Sequence, residues 1–500
     1  MLTARQERMA RLCLVLCFCF LVVDRWLILH QFGYRFVDDD QAIMWNGGVE
    51  MAHGRFHEPC FYGQSYNTML EGLVAVPLLW AGVGPDVALP VMTSVLTLFP
   101  FVLLCAALVR QRAYVPAAFM LAFPVALPPE YGMITSMPRG FVTGVFLSAL
   151  AVLPLFSTRS IFLLLAPFFA ILALFANPNA ALGVAPPALL IMLRYRSDRR
   201  LYLLGMAGAV PAAILYYLGH HFYDVRPEYV VHSAWELSFS VRDIQWSNLR
   251  FLDELSPFLW GKGWFVLILL ILLGIALGLK RQWKPAIALV IGIALLVASF
   301  GLNKVHDGIP SVFMPWARMF LAVPVLLALF IAQLNVRPPQ WAVALMPLLA
   351  AGFFGFKCVE QAAAVERQVR PHDGSNVEVD KVADLRRFCD HLGQVARTNE
   401  ADLLVISWGI RKHLTNYGCP CLVPDFPRTI NPVLDRRTWQ LRATAAQVVP
   451  NVLFAGFVEK DFAGMPVEKV SQAPLLFLAR GNKLRTDSLL SALSIALRPI

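Results

Sequence analysis

Residues 9–40 read MARLCLVLCFCFLVVDRWLILHQFGYRFVDDD, an apolar run closed by three consecutive acids, Asp38, Asp39 and Asp40. The apolar part, 9–30, has the length a helix needs to cross a bilayer, about 20 residues. Carboxylates beside lipid are costly to hold and mark functional positions. The stretch therefore predicts a membrane protein, and an enzyme whose carboxylate works at the lipid–water boundary.

Composition agrees. Of the 500 residues, 58% are hydrophobic and 15% charged, with a mean hydropathy of +0.59. An average soluble chain carries roughly 25% charged residues. The net charge of +10 would suit nucleic acid, but many basic residues sit in short loops between apolar segments, where they act as topology signals. No nucleic-acid partner is expected.

Eleven apolar segments are candidate spans: 9–30, 87–109, 113–129, 138–156, 160–176, 179–194, 201–219, 263–280, 284–301, 316–334 and 340–357. With Arg5, Arg8 and Arg11 inside, alternation puts Arg110–Arg112, Ser157–Arg159, Arg194–Arg200, Lys280–Lys284 and Asn335–Arg337 on the same side. That is the positive-inside pattern. The apolar stretch 67–82 carries Asn67 and Glu71 and would break the alternation, so it reads as an interfacial helix. Ten or twelve spans is the alternative count. Segment 9–30 lacks a small-x-small cleavage site and reads as a retained anchor.

This topology gathers 31–86, 128–139, 220–262 and 302–315 on the outer face. The inner loops are short and basic and carry no phosphate cradle, which disfavours nucleotide-driven pumping and cytoplasmic nucleotide-sugar chemistry. The chain divides into a transmembrane domain, 1–357, with 31–86 as its outer catalytic loop, and an extracytoplasmic domain, 358–500. The second part alternates strand-like runs (402–407, 451–457, 475–479) with helical ones (381–395, 436–447), as a small α/β domain does. Its expected role is accessory. The fold class is thus an α-helical polytopic membrane protein with a small C-terminal α/β domain.

Cys60, Cys358, Cys389, Cys419 and Cys421 fall outside, where disulfides are allowed. A bridge from Cys389 to Cys419 or Cys421 is one pairing among several. No cysteine or histidine spacing resembles a closed metal site.

The acids precede 41–54, which reads as an amphipathic helix ending at Gly54. Acids at a helix start cap its amides and favour its dipole. One acid suffices for that, so at least one of the three is left for cation binding or for general-base chemistry.

The order of features carries a resemblance. The first span is followed by Asp39-Asp40, then Gly54. Next come Phe61-Tyr62-Gly63-Gln64-Ser65-Tyr66 and an interfacial stretch from Leu70-Glu71-Gly72 through Pro77 to Gly82-Val83-Gly84. This resembles the first outer loop of GT-C fold glycosyltransferases, in their protein O-mannosyltransferase-like and aminoarabinose-transferase-like branches. Arg318-Met319-Phe320-Leu321-Ala322-Val323-Pro324 is similar to the family's Arg-Tyr-x-x-x-x-Pro opening of a late span, with Met319 in place of Tyr. The tail has no Trp-Trp-Asp-Tyr-Gly motif, which argues against an oligosaccharyltransferase.

The resemblance implies a polyprenyl-phosphate-sugar donor and a glycan, lipid or protein acceptor. The reaction would be an inverting transfer at the outer face of a bacterial inner membrane, among membrane lipid. Asp39 and Asp40 match the family's acidic pair, and Asp38 leaves the register open by one. Arg318 matches the arginine near the lipid phosphate, with Lys304, Arg139 and Arg226 as further cations for it. Tyr62, Gln64, Tyr66, His306 and Asp307 are candidate acceptor or sugar contacts. No cofactor is implied, and a divalent cation stays open. The rival class is a transporter or flippase for a lipid-linked sugar, whose mark would be charges deep in the spans and broken helices. A third reading is a scaffold in which 358–500 binds a partner.

Overall fold

The computed structural model describes residues 4–157, 159–231, 238–245, 263–303, 311–313, 320–334, 340–370, 379–407, 413–462 and 466–498. Helix predominates, with a small sheet near the C-terminus.

Among the described residues, four helices are long and apolar enough to cross a membrane: Glu7–Gly33, Pro85–Arg110, Arg199–Asp224 and Leu348–Val369. The shortest, 22 residues, extends about 33 Å at 1.5 Å per residue, against a hydrocarbon layer of about 30 Å. Every one of the eleven expected segments holds a helix, but the rest are shorter. Proline is one cause. The helix Tyr114–Ala126 stops before Pro128-Pro129, where a new helix, Pro129–Ile134, begins. Proline lacks the N–H and disfavours helical backbone in the residue before it. The 11-residue helix Leu70–Trp80 is about 16 Å long, half the hydrocarbon thickness.

The chain forms two compact units. The first comprises Met1–Gly33, Val91–Leu218 and Trp235–Ser375. In it, Ala4–Ile28 packs against Tyr114–Ala126 and Gln340–Val369. Lys357 Nζ lies 2.9 Å from Asp24 Oδ1, both side chains almost fully buried. Arg25 donates to the Gly132 carbonyl and to Thr135 Oγ1, each at 3.1 Å. Each buried charge thus has a partner, without which burial would cost several kcal/mol.

The second unit comprises Tyr34–Pro90, Gly219–Ala234 and Asn376–Ile500. It gathers the expected outer loop with the C-terminal segment, and the helix Gln340–Val369 runs straight through the 357/358 boundary. Two short strands, β1 (Phe36–Asp38) and β2 (Val379–Lys381), pair antiparallel with Asp38 opposite Val379. The helices Asp39–Ala52 and Leu70–Trp80 cross where both are glycine: a Cβ on Gly72 would sit 3.1 Å from Gly48 Cα.

The main sheet runs β4-β3-β5-β7-β6, from β3 (Leu403–Ile406), β4 (Arg428–Ile430), β5 (Val452–Ala455), β6 (Glu468–Gln472) and β7 (Leu475–Ala479). β4, β3 and β5 are parallel; β7 is antiparallel to both β5 and β6. β3 and β5 are apolar at every position and fully buried, as inner parallel strands are. The helix Val382–Thr398 lays Leu392 and Ala396 on one face of the sheet. Leu441, Leu489 and Leu490 cover the other. Cys389 is bonded to Cys419 across a Cα–Cα distance of 5.1 Å, one of the two partners the sequence left open. The helix expected at 436–447 starts later, at Thr438, so Arg436 and Arg437 precede it.

Candidate active site

The site is built on the start of the helix Asp39–Ala52. Asp38 is its N-cap: Asp38 Oδ1 accepts from the Gln41 amide at 3.0 Å, and Gln41 Oε1 accepts from the Asp38 amide at 3.0 Å. This reciprocal capping box satisfies two amides that the helix leaves open. Asp38 is buried, whereas Asp39 and Asp40 are half-buried in the first turn. The triplet therefore divides its labour, one acid serving structure and two lying where a helix start stabilises negative charge. Asp38→Ala is expected to lower stability by about 0.5–2 kcal/mol, and Asp38→Asn to recover most of it. Thermal unfolding of the full chain in detergent reads both.

Opposite stands Arg436, a residue the sequence reading placed inside a helix and gave no role. Its Nη1 lies 3.5 Å from Asp40 Oδ1, with both side chains mostly covered. At that separation the pair is a charge contact, longer than a good hydrogen bond. Two features aim Arg436. Its amide donates to the Tyr417 hydroxyl at 2.7 Å. Its aliphatic stem lies against Gly63, where a Cβ would meet Arg436 Cβ at 2.8 Å. Gly63 also has a φ of +77°, so two constraints require glycine there. Gly63→Ala is expected to cost about 1–3 kcal/mol, read by thermal unfolding, and to push Arg436 away from Asp40.

Beneath Arg436 lies a buried network. Arg437 Nε and Nη2 reach the two oxygens of Asp435 at 3.0 and 2.9 Å, and Nη2 also donates to Asn416 Oδ1 at 2.8 Å. Burial pushes the Asp435 carboxyl up, but the Arg437 guanidinium, with hydrogen bonds from Arg437 and Asn416, outweighs it and holds the group below the usual range. The backbone around Arg436 is thereby fixed.

An aromatic wall adjoins the same helix. His57 stacks on Trp439 with ring centroids 3.5 Å apart, and Tyr62 meets both rings edge-on. Glu50 holds this wall, 2.9 Å from His57 Nε2 and 2.6 Å from Arg55 Nε. Burial opposes its charge, but hydrogen bonds from His57 and Arg55 bring the carboxyl down to about 2. Glu50 thus stays anionic and is no proton donor. Burial pushes the Cys421 thiol up to about 12, so it is no nucleophile. Glu58, which the sequence reading passed over, is buried and accepts from the Tyr223 hydroxyl at 3.2 Å. Burial raises its carboxyl well above the usual range, against hydrogen bonds from Tyr223 and the Gly63 amide.

The remaining sequence candidates separate. Tyr62 is buried in the aromatic wall, Gln64 is buried in the adjoining turn and Tyr66 is half-buried there. Arg226 is exposed, its guanidinium 4.5 Å from the Phe222 ring centroid. Arg139 belongs to the first unit, buried and donating to the Phe313 carbonyl at 2.9 Å. Arg318, Lys304, His306 and Asp307 lie outside the described residues. Among the described residues no three His, Cys, Asp or Glu side chains converge as metal ligands.

No protein-family profile matches the chain, and no characterised protein matches it in sequence.

Proposed function

We propose that this protein is a membrane glycosyltransferase that moves a sugar from a polyprenyl-phosphate donor to an acceptor hydroxyl. The supporting observation is the division within the acid triplet: Asp38 is spent as a cap, and Asp39 and Asp40 are left in the first helical turn, Asp40 facing Arg436. That is the acidic pair the resemblance singles out. In this reading Asp39 or Asp40 takes the proton of the acceptor hydroxyl as it attacks the anomeric carbon. Arg436 orients Asp40 through their 3.5 Å contact. Negative charge grows on the departing lipid phosphate, and Arg318 binds it through its guanidinium fork. Lys304 and Arg226 are further cations for that task. A single displacement inverts the anomeric centre.

The reading includes the finer topology. The eleven helical segments cross the membrane, and the acid pair and the sheet lie on the outer side of a bacterial inner membrane. The short helices cross where the bilayer thins or where flanking turns complete the span.

A second reading, a transporter or flippase for a lipid-linked sugar, draws on the buried Asp24–Lys357 pair, since charges buried between apolar helices mark ion and substrate pathways. One assay separates the two. The purified chain is given a polyprenyl-phosphate sugar with candidate acceptors, and release of polyprenyl phosphate is followed. Sugar transfer with lipid release supports the enzyme. Movement of intact lipid across vesicles without cleavage supports the transporter. A reporter fused after Ile500 tests the topology, and a cytoplasmic signal would break it.

A further inference from the structure

A cavity of about 890 Å³ lies in the first unit. It is far from empty of chemistry. Six chain segments meet around it, five of them helix ends: the ends of Pro85–Arg110, Ala181–Tyr195 and Ala322–Gln333, the starts of Tyr114–Ala126 and Trp283–Ser299, and the turn at Leu155-Phe156. Its walls are apolar, from Phe119, Met120, Leu155, Leu190 and Ile331. Its rim carries three cations, Arg194, Arg281 and Lys284, and no carboxylate lines it among the described residues.

Helix C-termini present carbonyls and favour cations, so basic residues there need no ligand to explain them. Two cations in this region fill that role. Arg194 Nη1 donates to the Leu155 carbonyl at 2.7 Å, and Lys280 Nζ to the Leu334 carbonyl at 3.2 Å. With those carbonyls satisfied, Arg281 and Lys284 are exposed and have no carboxylate partner among the described residues. A backbone detail fixes Arg281 there. It is the left-handed residue, φ 57°, of the turn between Gly263–Leu279 and Trp283–Ser299. Most side chains resist that conformation, so the turn holds Arg281 at the rim at some cost. A soluble anion would use the rim and leave the apolar walls unmatched. A cationic rim above an apolar cleft between helices matches an amphiphile with an anionic head.

We propose that this cavity binds an anionic diacyl phospholipid of the adjoining leaflet, its headgroup phosphate between Arg281 and Lys284 and its chains along Phe119, Leu155 and Leu190. Basic pockets between membrane helices on the positively charged side suit such headgroups. The proposal rests on the membrane topology of the preceding reading and involves none of its sugar-transfer residues.

The test uses the full chain in neutral detergent. Phosphatidylglycerol, phosphatidylcholine and inorganic phosphate are titrated separately, and bound adducts are counted by native mass spectrometry. Phosphatidylglycerol is expected to bind at least tenfold more tightly than phosphatidylcholine. The double variant Arg281→Gln, Lys284→Gln is expected to lose that preference, roughly tenfold or more for two cations near a lipid surface. A control pair, Arg196→Gln with Arg199→Gln, removes two exposed cations that do not line the cavity and is expected to keep it. Equal binding of the two lipids would overturn the proposal. So would an equal loss in the control pair, or inorganic phosphate binding as tightly as the lipid. Because Arg281 and Lys284 are exposed, the variants are expected to fold. If the double variant unfolds, Lys284→Gln alone carries the test, with a loss of about fivefold expected and an unchanged preference overturning the proposal.

Discussion

Under the proposed sugar transfer, replacing Asp40 by asparagine is expected to slow turnover by about 10²–10⁴-fold, the range for a missing general base. Asparagine keeps the size of the side chain and removes the charge and the proton-accepting oxygen. Asp40 sits in the first turn, and its contact with Arg436 is long, 3.5 Å, so little stability rests on it, roughly 0–1 kcal/mol. The loss should therefore appear in turnover with the melting temperature almost unmoved. Asp39→Asn is the companion variant, because both acids share the turn. The larger fall identifies the base. Arg436→Met adds a discriminating cycle. If Arg436 acts through Asp40, its removal costs turnover in the parent and little more in Asp40→Asn, since coupled residues are not additive. Full release of polyprenyl phosphate by both asparagine variants would sink the assignment.

One residue further along, the expected effect is on folding. Arg437→Met is expected to destabilise the second unit by about 3–5 kcal/mol, the cost of leaving one partner of a buried ion pair alone. Arg437 and Asp435 are almost wholly buried, and both Asp435 oxygens are committed. Arg436→Met, with the same chemistry changed at the neighbouring position, is expected to unfold nothing. The contrast is read by proteolysis and thermal unfolding. The pH dependence has a definite sign. The folded Asp435 carboxyl sits below its unfolded value, so its contribution is fully present above the unfolded pKa of about 3.9. It is lost as pH falls through the lower folded value. Asp435→Asn should flatten that acid limb. An unchanged acid limb in Asp435→Asn would remove Asp435 from the account.

Much of this architecture was legible in residues. Continuous apolar runs gave β3, β5 and β7, because strands buried on both faces carry no alternation to blur them. β6 escaped because it is an edge strand whose Glu468 and Lys469 are exposed, and edges are protected by charge. β1, β2 and β4 are three residues each, too short for any period to show. Helix lengths were overread where proline cuts an apolar run, since hydropathy averages across Pro128-Pro129. The need for one capping acid in the triplet was visible; which acid was not, because cap geometry depends on backbone angles at a single residue. Arg436 was beyond reach, being 396 residues from Asp40 with no local pattern linking them.

The pairing of β1 with β2 has a consequence for biosynthesis. Chains emerge from the N-terminus, so the aspartate triplet leaves the ribosome long before Val379–Lys381, the strand that pairs beside it, and before Arg436. A nascent chain carries its acids without their frame. The contacts that frame the triplet, Asp38 beside Val379 and Asp40 beside Arg436, therefore form only after hundreds of further residues have been made.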